Sequence, residues 1–89
     1  MKLKPEQRVD LPTARTRALK YLAECHRTEL AAANCIALVI WPDHQMTSQG
    51  AGAAASRVLK TLAKDGLVEW TSNDYNWGWR STPKGRAQA

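Results

Sequence analysis

Residues 47–70, TSQGAGAAASRVLKTLAKDGLVEW, contain the signals for a helix, for its end and for a strand. Beyond a run of small residues, apolar side chains recur at i, i+3, i+4 and i+7, the spacing of a core-facing helical stripe. They are Ala55, Val58, Leu59 and Leu62. Asp65-Gly66 predicts the helix end, because glycine adopts the left-handed conformation after a C-cap without steric cost. Leu67 to Trp70 then follow as an extended segment.

The opposite side of this predicted helix is polar and basic. It carries three cations and two hydroxyls: Ser56, Arg57, Lys60, Thr61 and Lys64. Thr47 or Ser48 is expected to cap the helix. The helix then includes Gly50 and Gly52, although each costs about 1 kcal/mol relative to alanine. That cost indicates that either another helix or a DNA backbone approaches the glycines closely. We favour the packing of another helix.

Two further helices are predicted earlier in the chain. Pro12-Thr13 is a helix-start signal with Thr13 as the cap, and the apolar spacing predicts a helix over residues 12–26. Its inner stripe is Ala18, Tyr21, Leu22 and Cys25. Thr28 is expected to cap a second helix, apolar almost all round, that runs to Trp41. Pro42 ends it, since a residue before proline is driven out of the helical region.

Two strands and a short helix are predicted after Gly66. The strands are residues 68–71 and 77–81, joined by turn-forming residues 72–76. Trp77 and Trp79 share one face by the period of two, with Trp70 across from them. We expect Trp70 and at least one of the other two to be buried against the third helix. Thr82 is expected to cap the last helix, with Pro83 at its first position.

Composition limits the class of protein. Eighty-nine residues predict one domain, and a net charge of +5 with a pI near 9.6 favours a polyanionic partner, with simple solubility as the alternative. No apolar run reaches membrane-spanning length and no signal-peptide segment is found, so we expect a cytoplasmic protein without a membrane partner. Cys25 and Cys35 are expected to be reduced and buried.

Residue patterns for catalysis are not found. Trp41-Pro42-Asp43 resembles the acid loop of tyrosine phosphatases, but neither cysteine is followed by the arginine that such chemistry needs. The Gly50-Ala51-Gly52 run is only a fragment of a dinucleotide-binding fingerprint. The two cysteines with His26 and His44 do not have the spacing of a zinc site. We therefore expect no enzyme activity, no cofactor and no metal.

Residues 56–70, SRVLKTLAKDGLVEW, resemble the recognition helix and first wing strand of winged-helix regulators of the MarR-like and PadR-like kind. Residues 79–86, WRSTPKGR, resemble their second wing strand and the start of the next helix. The resemblance covers the C-terminal half and implies an α+β, mostly α fold. That fold is a winged helix: a three-helix bundle with a two-stranded β-hairpin wing and a short C-terminal helix. It divides the chain into a flexible basic arm, 1–11, and a winged-helix domain, 12–89.

The resemblance also implies double-stranded DNA binding by a small transcriptional regulator, with the third helix in the major groove. The residues expected at the DNA lie on that helix, on the wing tip and beside them: Ser48, Gln49, Ser56, Arg57, Lys60, Asn73, Tyr75, Arg80 and Lys84. Glutamine and arginine can read adenine and guanine edges, whereas serine and lysine mostly contact phosphates.

Three alternatives or additions stay open. A protein-interaction winged helix would dock its apolar second helix on a partner without touching DNA. A binder of RNA or single strands would need exposed tryptophans for base stacking. Leu38, Val39 and Trp41 are expected to point away from the core, which predicts a homodimer unless the same chain covers them.

Overall fold

The computed structural model describes residues 9–25, 30–42, 45–72 and 77–89. Its elements in chain order are α1 (Leu11–Glu24), α2 (Ala33–Ile40), α3 (Ser48–Lys64), β1 (Val68–Ser72), β2 (Trp77–Ser81) and α4 (Pro83–Gln88). The chain is therefore an α+β protein, mostly helical, with a two-stranded antiparallel sheet and a C-terminal helix. Within the described ranges, no helix has the length and apolar character needed to cross a membrane.

α1 begins slightly before the predicted start. Asp10 is its N-cap, without a side-chain cap bond, and Pro12 lies in the first turn. Thr13 is inside the helix, so its prediction as the cap was wrong: the extended residue that precedes the helix is Asp10. The buried side of α1 is Ala14, Ala18, Leu19 and Leu22. Tyr21 and Cys25 of the predicted stripe are only half-buried.

α2 is shorter than predicted because the residues before it pair with the sheet. Ala31 N–H donates to Trp79 C=O at 3.0 Å, and Trp79 N–H donates to Ala31 C=O at 2.8 Å. This bridge holds Ala31 in an extended conformation, so the helix begins at Ala33. The predicted cap, Thr28, lies outside the described residues, and it is five positions from the observed start. The helix ends at Ile40, one residue before the predicted end at Trp41 and two before Pro42.

α3 has the start, the inner stripe and the end that the sequence predicted. Thr47 Oγ1 accepts the Gly50 N–H at 3.1 Å, and both glycines lie inside the helix. The four predicted stripe residues are buried, together with Ala51 and Ala54. At the C-terminal end, Leu67 N–H donates to Leu62 C=O and Gly66 N–H donates to Ala63 C=O, both at 3.0 Å. Gly66 has φ +76°, so these bonds form a Schellman motif.

The hairpin has Trp70 opposite Trp79 and Val68 opposite Ser81. Alternation places these four side chains on one face of the hairpin. That face is turned towards the core at the end of the hairpin where Val68 pairs with Ser81. Val68 and Ser81 are buried there, and Ser81 Oγ donates to Leu22 C=O at 3.2 Å. The hydroxyl therefore joins the sheet to α1 while satisfying its own hydrogen-bonding requirement.

α4 is attached to the turn that follows α3. Thr82 Oγ1 accepts the Gly85 N–H at 3.0 Å, which is the predicted cap, and Thr82 N–H donates to Leu67 C=O at 3.0 Å. A Cβ on Gly85 would lie 1.9 Å from the Leu67 carbonyl oxygen. Only glycine lets the backbone of α4 approach the Leu67 carbonyl this closely.

The core lies between the three long helices and the base of the hairpin. Its most completely buried large side chains are Leu22, Ile36, Ile40, Trp41, Leu59 and Leu62. Trp41 is 2 % exposed, so the prediction that it points away from the core was wrong. α2 ends at Ile40, one residue before the predicted end, and Trp41 lines the same cleft as Ala14 and Val58. Cys25 is half-buried and Cys35 is exposed, which corrects the prediction of a buried pair, while both are free thiols.

The glycines of α3 allow a test of helix packing. A Cβ at Gly52 would be 3.8 Å from the Asn34 backbone nitrogen of α2, an ordinary contact, so this position does not require glycine. We expect Gly52→Ala to raise the free energy of unfolding by about 1 kcal/mol, because alanine loses less backbone entropy in a helix. Urea denaturation followed by circular dichroism measures the change.

Gly50→Ala is the matched control for this substitution. Its Cβ would lie 3.2 Å from Thr47 Oγ1, the capping atom, so we expect a smaller gain or a loss. A loss of stability in Gly52→Ala would instead mean that α2 and α3 pack more closely than the structure has them.

Candidate nucleic-acid interface

The outer face of α3 presents polar side chains over most of its length. At 100° per residue, Gln49, Ser56 and Lys60 fall within about 40° of one another around the axis, spread over about 16 Å. Gln49 and Lys60 are exposed and Ser56 is half-buried. Arg57 is also exposed and lies about 60° around the axis from Lys60, on the same side of the helix. Four of the nine predicted residues therefore share one face.

This face carries positive charge without compensation from its own helix. None of the eight acidic residues of the chain falls within α3, whose cations are Arg57, Lys60 and Lys64. They are spaced at i, i+3 and i+7, so neighbouring like charges repel and destabilise the helix by a few tenths of a kcal/mol per pair. Among the described residues, neither Arg57 nor Lys60 has an ion-pair partner. The charge on this face is therefore available to an external anion.

The remaining predicted residues lie apart from this face or have intramolecular partners. Ser48 is exposed at the first position of α3, about 100° around the axis from Gln49. Arg80 Nε donates to Glu69 Oε1 at 2.6 Å across the hairpin. Lys84 Nζ donates to Asp65 C=O at 3.0 Å. Asn73 and Tyr75, with the rest of the predicted wing tip, lie outside the described residues.

Two cations near the interface were not among the predicted contacts. Lys64 is exposed at the end of α3, one turn beyond Lys60, and it borders the same cleft as Lys84 and Arg15 of α1. The helical spacing of Lys60 and Lys64 was a usable signal for Lys64. Arg15 had no local signal, because its ion pair with Asp65 joins residues that are fifty positions apart.

The hairpin exposes two large aromatic side chains. Trp70 is 55 % exposed and Trp77 is 62 % exposed, so the prediction that Trp70 is buried was wrong. Trp79 is half-buried and packs against the core, which is less than the burial against the third helix expected for at least one of the pair. The hairpin is longer than the core beneath it: the face is covered at Val68 and uncovered two residues later. Strand alternation correctly predicted that the three tryptophans share one face. Their burial, however, depends on how far the helices extend beneath the hairpin.

Other site chemistry was sought in the described ranges. No group of three or more histidine, cysteine or acidic side chains lies together there, and His26 and His44 are outside these ranges. A cleft of about 180 Å³ lies beside Arg57 and is otherwise lined by apolar side chains, including Leu11, Trp41 and Val58. The Trp41 indole N–H is buried without a hydrogen-bond partner.

Comparisons with protein-family models, with curated proteins and with solved structures returned no match.

The tryptophans differ in how much they contribute to stability. We expect Trp79→Ala to lower the free energy of unfolding by about 2 kcal/mol, roughly half the cost of truncating a fully buried tryptophan. Trp70→Ala should cost about 1 kcal/mol, chiefly the lost aromatic pairing with Trp79. Chemical denaturation of both variants measures the difference. Equal losses would show that Trp70 is covered in solution.

Proposed function

We propose that this chain is a winged-helix domain that binds double-stranded DNA and acts as a small transcriptional regulator. The element order supports this proposal: three helices, a hairpin whose second strand also pairs with Ala31 ahead of α2, and a short final helix. The wing of the proposal is the hairpin, and α3 is the recognition helix. We retain the cytoplasmic location expected from the sequence as part of the same proposal.

The observation that carries the proposal is the exposed, acid-free face of α3. A helix has a diameter of about 10–12 Å, and the major groove is about 12 Å wide. Gln49, Arg57 and Lys60 all lie on the side of α3 that faces solvent. In the proposed complex Arg57 and Gln49 contact base edges, while Lys60 and Ser56 contact phosphates. Binding would also relieve the mutual repulsion of the helix cations, because the phosphates supply the missing negative charge.

The contributions of Arg80 and Lys84 are smaller in this proposal than the sequence suggested. Arg80 is paired with Glu69, and an exposed ion pair of this kind contributes about 0–1 kcal/mol to stability. Its guanidinium can leave Glu69 for a phosphate at little cost. Lys84 retains its full charge while it donates to a carbonyl, so it contributes attraction without a rearrangement.

Two other functions remain as competitors, and one has a specific observation in its favour. Trp70 and Trp77 are more than half exposed on one face of the hairpin, which suits stacking on the bases of a single strand. The interaction-module alternative needs an apolar α2 surface. Only Leu38, 54 % exposed, offers a large one among the described residues of that helix. The charge of α3 has no role in the interaction module, whereas a single strand, as a polyanion, would also be attracted by it.

We expect the variant with Arg57→Gln and Lys60→Gln to bind mixed-sequence duplex more weakly and with a flatter salt dependence. Glutamine keeps much of each side chain while removing its charge. Lys60 is the phosphate contact of the two, and its loss makes the slope of log K against log salt less steep by about 0.9. Between 1 M and 0.1 M salt this corresponds to an affinity loss of about eight-fold, and the lost base contact of Arg57 weakens binding further. Fluorescence anisotropy at four salt concentrations gives both quantities.

Lys20→Gln is the matched control, because it removes an exposed cation of α1 that is about 140° around that helix from Arg15. It should change the affinity far less. Equal affinity and equal slope for wild type and the double variant would exclude α3 as the recognition helix. Preference for an oligothymidine strand over duplex, lost in Trp70→Ala, would favour the single-strand function instead.

A homodimer also belongs to the proposal, on a smaller surface than the sequence predicted. Trp41 is buried, so Leu38 and the half-buried Val39 are what remains of the apolar patch on α2. A two-fold dimer would set two copies of α3 about one helical turn of DNA apart and would prefer an inverted repeat.

We expect sedimentation equilibrium to show a monomer–dimer equilibrium at micromolar concentration, with Leu38→Glu shifting it to monomer. The introduced carboxylate would be desolvated in the interface, which is costly. Asn34→Glu, on the same helix and also exposed, controls for added charge. A monomeric mass for wild type, both free and on DNA, would remove the dimer and the inverted repeat but not duplex binding.

A further inference from the structure

Side chains from three helices meet around the C-terminal end of α3. Arg15 of α1, Lys64 of α3 and Lys84 of α4 line one shallow cleft of about 450 Å³, with Gln88 at its edge. Asp65 is the acidic residue that lines it. Three cations and one carboxylate leave a local charge of +2. The polar lining and the open shape suit an extended charged ligand better than a small enclosed one.

Part of this charge has a structural explanation. Arg15 pairs with the Asp65 carboxylate, and Lys84 Nζ donates to the Asp65 carbonyl at 3.0 Å, which satisfies an unpaired group at the helix end. The helix dipole adds about half a negative charge at this end. Subtracting that half charge from +2 leaves about +1.5. Lys64 is exposed and has no ion-pair partner among the described residues, so its charge interacts favourably only with the helix dipole.

We propose that this cluster, Arg15, Lys64 and Lys84, is a second phosphate-binding site for the nucleic-acid backbone. The proposal rests on the proposed function and extends it: the duplex is held both by the outer face of α3 and by the end of that helix. The argument is charge complementarity, since a backbone phosphate supplies the anion that the surplus of about 1.5 positive charges attracts.

The cluster is continuous with the outer face of α3. Lys60 and Lys64 are one turn apart, about 6 Å along the axis, which is close to the spacing of successive phosphates on one strand. A strand that contacts Lys60 can therefore contact Lys64 and then Lys84. Gln88 adds a neutral hydrogen-bonding group to the lining of the cleft. Through Lys84, α4 would also contact the nucleic-acid backbone, although that helix carries none of the predicted base contacts.

Lys64→Gln tests the proposal without disturbing the fold, because Lys64 makes no bond that the helix end needs. We expect the salt slope for duplex binding to fall by about 0.9 and the affinity at 0.1 M salt to fall about eight-fold, the counterion-release value for one phosphate. Lys64→Arg should restore both. Lys20→Gln is the matched control and should leave the slope near its wild-type value. Amide shifts of Lys84 and Gln88 on titration with the same duplex provide a readout that does not depend on any substitution.

Each outcome decides between the two proposals. If Lys64→Gln binds with wild-type affinity and slope, and the Lys84 and Gln88 amides do not shift, the cluster is not a phosphate site. In that case, the variant with Arg57→Gln and Lys60→Gln would still test whether α3 is the recognition helix. If wild type does not bind duplex at all, the proposed function fails and the cluster proposal fails with it.

Discussion

The reversal at Asp65 and Gly66 is the constraint on which the rest of the structure depends. The Schellman bonds end α3, and the same short turn receives the Arg15 ion pair, the Lys84 bond to Asp65 and a bond from Thr82 Oγ1 to Gly66 C=O at 2.6 Å. α1, α3, β1 and α4 are therefore all fixed at one point. The Arg15 ion pair uses the Asp65 side chain, whereas the Lys84 and Thr82 bonds use backbone carbonyls of the turn, so these two contacts also meet its hydrogen-bonding needs.

How far the sequence could predict this fold follows from where each signal lies. α3, its Thr47 cap and its Gly66 end were predictable because all three signals are local. The start of α2 was not, since the bridge between Ala31 and Trp79 joins residues 48 positions apart and overrides an apolar run of helical character. Nothing in the local pattern of α2 marks that pairing.

The candidate site divides in the same way. The shared face of Gln49, Arg57 and Lys60 follows from helical spacing alone, and the structure exposes all three. The exposure of Trp70 does not follow, because alternation gives the face of a strand but not the length of the core that covers it. The Arg15, Lys64 and Lys84 cluster needed the packing of three helices, although the sixteen residues from Lys64 back to Gln49 already contained no acidic residue.

The core is unusual for the number of alanines in it: Ala14, Ala18, Ala37, Ala51, Ala54 and Ala55 are all buried. Alanine loses no side-chain entropy on burial, but it also removes little apolar surface from water. A few large side chains therefore supply most of the hydrophobic stabilisation, and the margin of a domain this small is narrow. By mass action, the free energy of unfolding also depends on the concentration of any ligand that binds the folded form. A ligand at one hundred times its Kd that binds only the folded form adds about 2.7 kcal/mol to the free energy of unfolding. For such a domain, a bound polyanion would be a substantial part of what keeps it folded.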